Sequence, residues 1–151
     1  MKTIETISQG QNHKAISVGK LDQLMQHSLI HPVSGRVIEG KVFLKEATEA
    51  TGTEISFQML TPHSELPYFH SHRKNEETYI FIKGSGFFQV DNDCFPIGEG
   101  SVIKVSPEGS RGLCNSSGET MIYIVIQSKK DSLEEYSSAD AERVEQKPLW
   151  E

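Results

Sequence analysis

The sequence predicts an all-β barrel or sandwich, and two observations carry that prediction. From residue 37 onward, about eight or more short runs of alternating or apolar residues follow one another at close spacing, with turn residues in the gaps. No amphipathic helical pattern stands between them, so a parallel sheet would lack its crossover helices.

Taken in order, the first fourteen residues, "MKTIETISQGQNHK", are polar and are expected to be loosely held. "GKLDQLMQHSLIHP" places Leu21, Leu24, Met25 and Leu29 near helical spacing and ends at Pro32, which predicts one short helix. "KVFLKE" and "EISFQML" then alternate around Thr51-Gly52 as two strands. "ETYIFIKG", "GFFQVDNDCFPI", "SVIKVSP", "GLCNS" and "ETMIYIVIQ" follow, separated by turns such as Gly84-Ser85-Gly86, Asp91-Asn92-Asp93 and Pro107-Glu108-Gly109. Both faces of "TYIFI" are apolar, so this strand is expected to be covered on both sides. The chain therefore divides into an N-terminal arm (1–36), a barrel (37–128) and a polar tail (129–151) that ends in Leu149 and Trp150. A terminal Trp usually docks, here on the barrel or on a partner subunit.

Composition narrows the function. A net charge of −6 with no Lys/Arg cluster argues against nucleic acid, whose phosphates need a basic face. No apolar run reaches the roughly 18–20 residues of a membrane span, and the N-terminus lacks a signal-peptide core. A cytoplasmic protein is expected, with Cys94 and Cys114 as reduced thiols.

The chemistry concentrates in "YFHSHRKNEETYIFIKG". Side chains two apart on an extended segment share a face, so His70 and His72 can reach one ion at ~2.0–2.1 Å. Glu76 or Glu77 returns on the next strand and can supply a carboxylate. Two imidazoles and a carboxylate leave open positions on a metal. HxH by itself is weak, because it can be two surface histidines, and the chain scatters others at His13, His27, His31 and His63.

This stretch resembles the first motif of the cupins, G-x5-H-x-H-x3/4-E-x6-G. His70 and His72 fill the HxH, and Glu77, with six residues before Gly84, fills the glutamate. Ser64 replaces the leading glycine, and fifteen residues separate Gly84 from Gly100. In the second motif, G-x5-P-x-G-x2-H-x3-N, Arg111 stands at the histidine and Asn115 at the asparagine when Gly100 is taken without a gap. A one-residue shift restores Pro107 and Gly109 but puts Gly112 at the histidine, so the family's fourth ligand is absent in either register.

The resemblance implies a double-stranded β-helix, the small single-domain cupin jelly roll of the conserved-barrel type, and a homodimer. It also implies a divalent metal (Zn, Fe, Mn or Ni) on His70, His72 and Glu77, and a small-molecule ligand. An enzyme of this kind would be a metal-dependent dioxygenase or isomerase. The alternative is a module that binds a sugar or anion weakly or without metal, with Arg111 in place of the fourth ligand. Arg111 has five donors and no acceptor, so it suits an anionic ligand group. Parity along the strand adds Tyr79 and Phe81 to the face of Glu77 as ligand-contact candidates. Phe57, Met59, Phe88 and Tyr123 are further lining candidates. Cys114 and His63 are substitute fourth ligands.

Overall fold

The protein is described by a computed structural model covering residues 2–150; Met1 and Glu151, the ends of the arm and the tail, lie outside the described residues. Its strands are β1 (Glu5–Gly10), β2 (His13–Ser17), β3 (Ser28–Ile30), β4 (Val37–Glu39), β5 (Lys41–Phe43), β6 (Glu54–Leu60), β7 (Ser64–Glu65) and β8 (Asn75–Lys83). They continue as β9 (Gly86–Val90), β10 (Asp93–Ile97), β11 (Val102–Val105), β12 (Arg111–Asn115) and β13 (Met121–Lys129). One α-helical turn, α1 (Lys45–Thr48), interrupts them.

A five-stranded sheet, β11-β8-β13-β6-β5, faces a four-stranded sheet, β10-β9-β12-β7, and every pairing is antiparallel. This is the double-stranded β-helix that the motif resemblance implies, within the all-β class that the strand spacing predicts. Parity explains the core. Tyr79 and Phe81 of β8 point inward with Tyr123 and Val125 of β13, and Phe88 and Leu113 meet them from the opposite sheet. Gly84 makes the turn from β8 to β9 with φ +85°, and a Cβ there would lie 2.7 Å from the Met121 backbone.

The arm departs from the expected short helix. Leu21–Gln26 form only a 3-10 turn, and Ser28–Ile30 pair with Val37–Glu39 as a hairpin. Burial decides this. Leu24 is fully buried with Val18, Val42, Leu44, Met59 and Ile122, on the outer face of the five-stranded sheet. The polar first residues are also ordered, because β1 and β2 close a hairpin there. Phe57 and Met59, counted among the lining candidates, belong to this outer layer. The expected strand "KVFLKE" stops at Phe43, since Glu54 Oε1 accepts from the backbone N–H groups of Leu44 and Lys45 and caps the start of α1.

The tail from Lys130 to Trp150 is exposed throughout in the single chain. No helix among the described residues is long and apolar enough to cross a membrane.

Candidate metal centre

Beyond β7 the chain keeps running antiparallel to β12 but bulges at Pro67 and Tyr68. Glu65 pairs with Cys114, yet the next bridge, His70 with Arg111, comes two residues late. Pro67 has no N–H for the ladder, which suits a bulge. The bulge folds Phe69 over Gly112, where a Cβ would lie 2.9 Å from the ring, so a larger residue here would push the half-exposed ring aside. His70 and Arg111 then exchange backbone hydrogen bonds of 3.2 and 2.9 Å, and the N–H of His72 donates to Pro107 O at 2.8 Å. These bonds fix the HxH segment against the mouth of the barrel.

Glu77 enters from the opposite sheet, at the start of β8, paired with Val105 and Gln127. The Nε2 atoms of His70 and His72 lie 3.6 and 3.1 Å from its two carboxylate oxygens. One ligand atom from each of the three residues falls within 4.8 Å of the others, which one cation can bridge. Glu76 faces the other way and lies 3.6 Å from the Lys104 ammonium. Cys114 lies on the outer face of its sheet with Gly112, and His63 is exposed on a turn, so neither joins the group.

The protonation states suit metal ligands. Burial pushes the Glu77 carboxyl up, but His70, the Tyr79 hydroxyl, His72 and Arg111 together outweigh burial and hold it down at about 2. Burial keeps His72 below the ordinary histidine range against the pull of Glu77, so the ring stays neutral with a free lone pair. His72 Nε2 has no aligned hydrogen-bond partner despite its closeness to Glu77, and His70 Nδ1 has none either. A buried imidazole nitrogen aimed at a carboxylate without a hydrogen bond suits the ligation of a cation by both.

The remaining residues of the face take separate places. The Tyr79 hydroxyl donates to Glu77 Oε2 at 2.6 Å, and burial followed by the Glu77 charge pushes its ionisation far above the usual tyrosine range. It therefore stays a donor and orients the carboxylate. Phe81 is only 1 % exposed and packs against Phe88 and Tyr123, so it offers a ligand no surface here. Tyr123, also buried, keeps its hydroxyl without a partner.

Arg111 follows the gap-free register and points inward, with no exposed surface at all. Its Nη atoms donate to the carbonyls of His70 and Ser106 at 3.1 and 3.3 Å, and its Nε lies 3.5 Å from Glu77 Oε2. The guanidinium is thus a strut behind Glu77. As placed, it has no free face for a ligand's anionic group, unlike the substrate contact its donors suggest. Two participants escaped the sequence reading, Gln127 and Lys41. Gln127 donates to Glu77 Oε1 at 3.4 Å. Lys41 faces the same interior from β5; the β5–β6 register that puts it opposite Gln58 is a long-range feature without a local signal.

The fold is shared with a cupin protein from Bacteroides fragilis, which is 31 % identical over 69 % of this chain and 88 % of that one, with a TM-score of 0.66. The chain belongs to the cupins. Two further structures share the fold with this cupin at lower identity. A sugar phosphate isomerase from a cupin superfamily, from Silicibacter pomeroyi, is 14 % identical over 68 % of this chain and 69 % of its own, with a TM-score of 0.55. A predicted oxalate decarboxylase from Thermotoga maritima is 18 % identical over 73 % of this chain and 96 % of its own, with a TM-score of 0.58. No protein-family model matches this cupin, and no curated protein does.

Proposed function

We propose that this cupin holds a divalent metal on His70, His72 and Glu77 and receives a small polar or anionic metabolite above it. The observation that carries the reading is the convergence of two imidazoles, that of His72 held neutral by burial, on one ionised carboxylate, with an unpaired nitrogen between them. The donor set suits zinc, iron, manganese or nickel. A bound metal would supply a Lewis acid or an oxygen-activating centre, as in isomerases and dioxygenases. The chain's own residues do the rest: Tyr79 and Gln127 donate to Glu77 and set its orientation, and Arg111 braces it from behind.

One observation favours a second reading, a ligand-binding module without metal. The Arg111 cation stands inside the site, beside the carboxylate that a metal needs. Elemental analysis of untagged protein, purified without chelator and compared with His70→Ala and His72→Ala, separates the two. Near-stoichiometric metal in the parent, lost in the variants, is expected. Absence of metal from the parent even after reconstitution would sink the metal reading and leave the second.

We also propose a cytoplasmic homodimer. Cys94 and Cys114 are free thiols, which suits a reducing compartment. The arm covers the sheet's outer face over Phe57 and Ile82, and leaves Ile80, Ile124 and Ile126 half-buried beside exposed Val102. A second copy is the occupant suggested for that remainder.

A further inference from the structure

We infer that the cavity between the β3–β4 hairpin and the metal site is a receptor for a small carboxylate- or phosphate-bearing compound, whose anionic group is held by Lys41 and Arg36. This deepens the proposed function and depends on it only for what the ligand's other end meets at His70. The cavity measures about 670 Å³, within the range of small-molecule sites. Its polar lining includes His31, Ser34, Arg36, Lys41, Gln58 and His70, and among the described residues no aspartate or glutamate lines it. In a chain with a net charge of −6, a cavity lined by two cations and by no described carboxylate selects for anions.

The cations are also unspent. Among the described residues neither Lys41 nor Arg36 has a carboxylate within 4.0 Å, although the chain forms such pairs elsewhere, as at Lys104 and Glu76. Parity on β5 turns Lys41 into the barrel beside Gln58, and its ammonium sits 4.8 Å from the Phe43 ring centroid. An ammonium drawn from water without an ion pair loses hydration that an anionic ligand would restore. Burial lowers its pKa, with the charges of Glu77 and Glu54 opposing. Arg36 stands exposed on the hairpin, where its planar fork can close bidentately over carboxylate or phosphate. Leu66, Pro67, Val37 and Ile38 give the walls between an apolar character, which fits a short carbon frame. Arg111, with its donors turned to His70, Ser106 and Glu77, is excluded from this role.

Calorimetric titration of inorganic phosphate and of acetate into chelator-treated protein tests the inference without requiring metal. At least one anion is expected to bind, and the stronger of the two identifies the chemical source. Lys41→Met should weaken it at least about tenfold, and Lys41→Arg should recover most of the loss. Arg36→Gln, on an exposed turn where folding is not at stake, should weaken it severalfold. Lys147→Met, on the exposed tail away from the cavity, should leave it unchanged. Failure of both anions to bind the parent, or parental affinity in Lys41→Met or Arg36→Gln, overturns the inference. A parent that binds an anion but takes up no metal even after reconstitution would instead refute the metal reading alone.

Discussion

Glu77 has two oxygens and five suitors. Tyr79 and Arg111 share Oε2 with His70, while His72 and Gln127 approach Oε1. The charge that results has a definite pH consequence in the metal-free protein. The folded carboxyl sits at about 2 against an ordinary 4.5, so its stabilisation is complete above 4.5 and is lost as pH falls toward 2. His72 acts with the same sign and starts earlier. Its lowered folded pKa means that the unfolded chain takes up the proton first, below 6.5. Urea unfolding across this range should give Glu77→Gln a flatter acid limb than the parent, and parallel limbs would refute the assignment. Behind Glu77, Arg111→Met removes the buried cation beside the carboxylate and should cost about 3–5 kcal/mol of stability. A loss below about 1 kcal/mol would mean that Arg111 is not the strut.

At the scale of elements, the arm is part of the fold. Leu24 is fully buried against β5, β6 and β13 through Val42, Met59 and Ile122, so Leu24→Ala should cost about 2–5 kcal/mol. Thermal unfolding that matches the parent would mean that the arm only rests on the barrel. β6 and the strands from β8 to β13 were legible because their alternation and turn residues are local properties, whereas two-residue β7 was not; "EISFQML" became β6 residue for residue. The arm was not. Leu21, Leu24 and Met25 have helical spacing, but the outer face of the sheet claims Leu24 and the β3–β4 pairing claims Leu29. Tertiary burial and strand pairing overrode a weak local preference.

For the molecule as a whole, the open question of surface is the outer face of the five-stranded sheet. Apolar side chains on both sides of β8 require two covers. The barrel interior is one, and the arm supplies half of the other. If a second copy supplies the rest, Ile124→Lys should turn a dimer into a monomer in sedimentation velocity, with metal content unchanged. A parent that sediments as a monomer would refute the dimer. The exposed tail carries Tyr136, Leu149 and Trp150 and has no seat on its own barrel.

The sequence by itself determined the all-β class, the order of the barrel strands and the HxH…E set. Each follows from a period of two, from turn residues, or from a motif contained in a few residues. Tertiary structure decided what lies between these pieces. It chose the register in which Arg111 points inward, a matter of one residue that reverses every side chain on β12. It also brought Lys41 and Gln127 to the interior beside residues distant in sequence. Facing across a barrel is a property of hydrogen-bonded register between strands, which no short stretch of the chain encodes alone.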